Sequence, residues 1–166
     1  MPGMNISDRI PEREYDHHSY TGHKGAYFGS GMEFLPFLDS EYLDSAWTNP
    51  DGCKLIKSHE WAYYLGNIKH KFPNDWIMLI YRPDMSSYAW WHEAGGFQIK
   101  YPNYDFYVDS PTMLSEIIKQ NSLILKYGYE QNCKWEYFSE SWIYNNFMQK
   151  VKINTSYEDI LISLIR

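Results

Sequence analysis

The spacing of apolar and polar positions changes several times along the chain, and each change marks an element. Every position from Trp76 to Tyr81 is apolar, and the run stops at Arg82-Pro83-Asp84. A short apolar run with no polar face predicts a strand covered on both sides, so it is placed centrally in a sheet. Tyr88-Ala89-Trp90-Trp91 follows, with a turn at Glu93-Ala94-Gly95-Gly96. Phe97 to Tyr101 then alternates, Pro102-Asn103 turns the chain, and Tyr104 to Val108 alternates again. Period-two alternation between Gly and Pro turns predicts antiparallel strands, a meander around residues 76–108. Tyr107 is expected on its open face.

Helical spacing dominates elsewhere. Leu35, Leu38 and Tyr42 predict a helix over Met32–Leu43, with Pro36 in its first turn, and Asn49-Pro50-Asp51-Gly52 is a turn. Trp61, Tyr64, Leu65, Ile68 and Phe72 share one face of a helix predicted over Cys53–Phe72. Asp109 or Ser110 caps a further helix, with Leu114, Ile117, Ile118 and Leu125 toward the core and Gly128 as its C-terminal cap. Lys134 to Phe138 alternates as a strand, and Ser139 opens a helix carrying Ile143, Phe147 and Val151. The stripe Tyr157, Ile160, Leu161, Leu164, Ile165 predicts a last helix that docks on the sheet or on a second subunit. The order of elements predicts an α+β fold, an antiparallel sheet packed against several helices that cover one face. Residues 1–25 are polar and rich in turn formers, and are expected to form a mostly irregular arm. Residues 26–166 are expected to form a single α+β domain, with Ala26-Tyr27-Phe28 as a short strand.

Composition changes this picture in one respect. The 166 residues include 16 Tyr, 8 Phe and 7 Trp, 19% aromatic in total. A core of this size does not absorb so many rings, which leaves some Tyr and Trp for contact with a partner. A net charge of −6 argues against affinity built on phosphate neutralisation, so nucleic acid is not the expected partner. The beginning of the sequence has no apolar signal-like stretch and no run is long enough to span a bilayer, so a cytoplasmic protein is expected. Cys53 and Cys133 are far apart and form no metal-binding pair, which suits reduced thiols.

Four constellations are candidates for chemistry. His17, His18 and His23, with His92 and Glu93, have the donor types of a zinc site with one open position; solvated histidines are the plainer reading. Pro83-Asp84 followed by Gln98-Ile99-Lys100, with Glu60 upstream, loosely resembles the PD-(D/E)xK nuclease pattern. In such a site carboxylates hold a divalent metal and Lys100 orients water; the plainer reading is a turn aspartate and the solvent face of a strand. His23-Lys24-Gly25-Ala26-Tyr27-Phe28-Gly29 resembles the G-x-G-x-Y-F segment of ADP-ribosyltransferases. That resemblance implies an NAD pocket beside His23 and Tyr27, with Asp105 near the place of the family's catalytic glutamate. Gly29-Ser30-Gly31 lacks the remainder of a phosphate loop and reads as a hinge.

The balance favours a small acidic protein that binds and occludes another protein, of the immunity-protein or phage-inhibitor kind. Trp90, Trp91, Tyr104 and Tyr107 are the expected anchors, and Asp39, Glu41 and Asp44 would steer a basic partner surface. No cofactor is expected, and no membrane. A homodimer through the last helix is a further expectation. The alternative is an enzyme, either ADP-ribosyltransferase-like through His23, Tyr27 and Asp105 or a metal-dependent hydrolase.

Overall fold

The computed structural model describes residues 58–93, 95–98, 104–147 and 160–165. These form an α+β fold. A 3₁₀ turn, Glu60–Tyr64, runs into α1 (Leu65–Lys71), and β1 (Ile77–Tyr81) follows. Next come α2 (Asp84–Glu93), a 3₁₀ turn at Gly96–Gln98, and the long α3 (Ser110–Glu130). The short β2 (Glu136–Tyr137), α4 (Glu140–Phe147) and β3 (Leu161–Ile165) complete the described elements.

The sheet has the order β1-β3-β2, and both outer strands run antiparallel to β3. Ile77 pairs with Ile165 and Tyr81 with Leu161, so β1 and β3 are in full register. Ile77 and Leu79 pack with Leu65 and Ile68 of α1, Tyr127 of α3, and the half-buried Trp135 and Ile165. On the opposite face Ile162 packs with Trp142 and Ile143 of α4, joined by Met78 and Leu164. Helices therefore cover both faces, where the sequence predicts one. This explains why β1 and β3 have so few polar positions: successive side chains enter two different clusters.

Among the described residues the predicted meander is not formed: of its strands only β1 is present, and it is an outer strand rather than the central one, while residues 99–103 lie outside the described residues. The segment containing Tyr88, Trp90 and Trp91 is α2. Pro83 and Asp84 are start signals and Gly95-Gly96 is a stop signal, and the interval they bracket suits a three-turn helix. Gly95 and Gly96 have φ of 120° and 53°, backbone that favours glycine and reverses the chain. Gln98 lies in a 3₁₀ turn, and 104–109 is turn and irregular structure rather than strand. The predicted last helix is also overturned over Leu161–Ile165. Its apolar pattern fits either period, and β3 satisfies it as the central strand. The homodimer drawn from that helix loses its basis.

The helix around Leu114 and Ile117 is observed with its cap at Asp109, whose side chain accepts from the Thr112 N–H at 2.8 Å. Its buried line is Met113, Gln120, Tyr127 and Gly128, whereas Ile118 and Leu125 are exposed. Gly128 is inside the helix and not its cap. The left-handed residue is Asn132, at φ 53°. Cys133 N–H donates to the Gly128 carbonyl at 2.8 Å and Asn132 N–H to that of Tyr129 at 3.0 Å, which is a Schellman closure. Ser139 caps α4 as its sequence predicts, accepting from the Trp142 N–H at 3.0 Å. The helices predicted over Met32–Leu43 and at residues 53–57, and the strand at Ala26-Tyr27-Phe28, lie outside the described residues.

Candidate functional site: an aromatic ledge on α2 and a polar line beneath it

α2 rests on α3. The Asn121 side-chain amide of α3 donates to the Arg82 carbonyl at 2.8 Å and to Asp84 Oδ1 at 2.7 Å. Ser87 Oγ donates to the same Arg82 carbonyl at 3.1 Å. The first turn of α2 is thus fixed to α3 by side chains at both ends of the contact. The rest of α2 is different: no residue along its length is buried, although it carries Met85, Tyr88, Trp90 and Trp91. Met85 is 64% exposed. Apolar and polar side chains are spread around this helix rather than segregated, so it has no single face to bury.

Rings continue from its C-terminal half. Trp91 meets Phe97 edge-on at 4.7 Å and lies 5.4 Å from Tyr107. Tyr88 meets His92 edge-on at 4.6 Å. Tyr104 stacks on Phe106 at 4.7 Å and meets Tyr107 edge-on at 5.3 Å. The Gly95-Gly96 reversal places Phe97 back against Trp91. Arg82 sits over the Trp90 ring at 4.5 Å. Of the expected anchors, Trp91, Tyr104 and Tyr107 therefore lie in one ring cluster, while Trp90 lies against Arg82 instead; all four are half-buried. Tyr107 reaches it from a turn and not from an open sheet face, which corrects the expectation for that residue. Asp105, in the same turn, and Glu93, at the end of α2, are exposed carboxylates on the ledge.

A polar line runs alongside. Gln120 is buried in α3, and its Nε2 donates to Glu116 Oε1 at 2.8 Å. Tyr63 OH donates to the same Glu116 oxygen. The Gln120 Oε1 is left to accept from His59 Nδ1 at 3.1 Å, which places the proton of His59 on Nδ1. His59 in turn meets Tyr104 edge-on at 5.2 Å, linking the line to the ledge. Burial pushes the Tyr63 phenol above its ordinary value, and the adjoining Glu116 carboxylate adds to this. Lys119 lies over the Tyr63 ring at 4.6 Å. None of His59, Tyr63, Glu116 and Gln120 is among the residues that sequence reasoning singles out for binding. One signal existed: Gln120 interrupts the line Met113, Ile124, Tyr127 on the buried side of α3.

The other predicted sites are not assembled by the described residues. His92 and Glu93 end a helix instead of forming a hairpin, and both are exposed. No group of three or more His, Cys, Asp or Glu among the described residues could hold a metal ion. Asp84 is engaged by Asn121, and Gln98 is in a turn instead of on a strand, so the nuclease-like pairing is not formed between them. His17, His23, Tyr27, Asp39, Glu41, Asp44 and Lys100 lie outside the described residues. An open cleft of about 480 Å³ near Asn132, Lys134, Asn146 and Ser163 includes none of the expected anchors. No family model, curated protein or solved structure matches this chain.

Proposed function

We propose that the protein acts by binding another protein and occluding its surface, with α2 and the turn 104–107 as the contact. The observation that supports this reading is a ten-residue helix with three large aromatic side chains and no buried residue. Rings held by neighbouring rings lose little conformational freedom on binding and offer large contact area. Glu93 and Asp105 supply negative charge beside them, which favours a basic partner and fast, salt-sensitive association. A cytoplasmic location is part of the same proposal; among the described residues no helix is long and apolar enough to cross a membrane.

The test is capture of a partner from the native host with the immobilised protein, repeated with variants. Met85→Ser and Trp90→Ser on α2 are expected to reduce capture at least tenfold, as truncation of central interface anchors does. Tyr137→Ser, on the exposed β2, is expected to leave it unchanged. Equal loss in all three variants, or no specific partner for the wild type, sinks the reading.

A further inference from the structure

We propose that the edge of β3 beyond β2 is a peptide-binding site, where one residue of an extended peptide pairs with the backbone of Leu164. The register of the sheet defines the place. β3 runs to Ile165, but β2 pairs with it only at Leu161 and Ile162. Hydrogen-bonded and open pairs alternate along an antiparallel ladder. The Phe138 N–H donates to the Ile160 carbonyl at 2.8 Å, so Ile160, Ile162 and Leu164 direct their backbone groups to the side of β2. The register would set Lys134 opposite Leu164, yet no backbone bond joins the two. Among the described residues the Leu164 N–H and C=O therefore have no partner on this edge.

The chain ahead of β2 is drawn away from β3 by its own contacts. Asn132 is left-handed, the Cys133 N–H is taken by the Gly128 carbonyl, and the Trp135 ring lies against Gly128 in the core. The space left is the cleft of about 480 Å³, which Leu164 lines together with Ser163 and Asn146. That volume is within the range of small-ligand sites. Ser163 is only 3% exposed, and among the described residues no hydrogen bond engages its hydroxyl. Asn146 commits its Nδ2 to the Trp142 carbonyl at 2.8 Å and keeps Oδ1 as an acceptor. A backbone donor and acceptor on one edge, flanked by a hydroxyl and an amide, match the main chain of an extended peptide, which carries one donor and one acceptor per residue. The site shares no residue with the contact proposed on α2 and does not rest on it.

Amide NMR of the full chain tests the proposal, with acetylated and amidated tripeptides carrying a central Ala, Val, Ser, Lys or Glu as probes. At least one probe is expected to shift the Leu164 and Ser163 amides saturably, with a Kd on the order of 1 mM or tighter, and to leave Ile118 of α3 unmoved. Replacing the central N–H of that probe by an ester oxygen removes the donor to the Leu164 carbonyl and is expected to weaken binding about fivefold or more. Ser163→Val, which puts methyl groups where the hydroxyl lines the cleft, should abolish the shifts. If that variant fails to fold, Asn146→Ala should weaken binding about threefold or more. Absence of a saturable shift at Leu164 with every probe overturns the proposal, as does an ester that binds as tightly as its amide or a folded variant that binds as the wild type does.

Discussion

Gly128 and Gly66 both lie in helices, where propensity alone ranks glycine below alanine by about 1 kcal/mol. Their surroundings separate them. A Cβ on Gly66 meets nothing within 4 Å, so Gly66→Ala is expected to stabilise by roughly 0.5–1 kcal/mol, read as a raised Tm. A Cβ on Gly128 falls 2.6 Å from Cζ2 of Trp135, a rigid ring held in the core. Gly128→Ala is therefore expected to destabilise by about 1–3 kcal/mol despite its better propensity, checked by denaturant titration. The sequence pattern puts Gly66 within a helix and Gly128 at the end of one, and the close approach of Trp135 depends on the chain after Asn132 folding back against α3. Asp109 carries a prediction in pH. Hydrogen bonds from Thr112, first its backbone N–H and then its side chain, lower the Asp109 pKa from the ordinary 3.8. A lowered value means that its stabilising effect is complete above the ordinary value and is lost as pH falls through the folded one. The stability difference between wild type and Asp109→Ala should hold at pH 6 and shrink as pH falls below the ordinary 3.8.

Among elements, end signals were more informative than the pattern between them. Asp109 at the start of α3 and Ser139 at the start of α4 are legible because a cap is a local contact. The stretch that forms α2 reads as sheet because its aromatic residues suit a strand, while Pro83-Asp84 and Gly95-Gly96 suit turns as well as helix ends. At the end of α3 the sequence offers Gly128, yet the left-handed position is Asn132. Glycine at that position removes the strain, so Asn132→Gly is expected to stabilise the closure by a few tenths of a kcal/mol to about 1 kcal/mol, visible as a higher denaturation midpoint. The polar line was not legible. Glu116 and Gln120 pair within one helix, but His59 and Tyr63 reach them from across the fold.

At the scale of the whole molecule the α+β class follows from the mixture of periods, but the strand order does not, because Leu161–Ile165 reads equally well as either type of element. The centre of the sheet is Ile162, which is fully buried between β1, β2 and α4. Ile162→Ala is expected to cost about 2–5 kcal/mol, the range for a buried aliphatic truncated to a cavity, as measured by equilibrium unfolding. Two tyrosines, the half-buried Tyr63 and the buried Tyr127, add a dependence on alkaline pH. Burial raises both Tyr63 and Tyr127 above the ordinary 10.0. Their protons are held more tightly in the folded state, so stability is complete below pH 10 and declines as pH rises toward the folded values. Tyr63→Phe should flatten that decline in a plot of Tm against pH. The order β1-β3-β2 has a consequence for synthesis. The ribosome makes β1 and β2 before the strand that joins them, so each waits with unpaired backbone groups until Leu161–Ile165 has emerged. During that interval Ile77 and Leu79 have no sheet to enter, and nascent chains stalled ahead of β3 are the species that a chaperone would meet or that would aggregate.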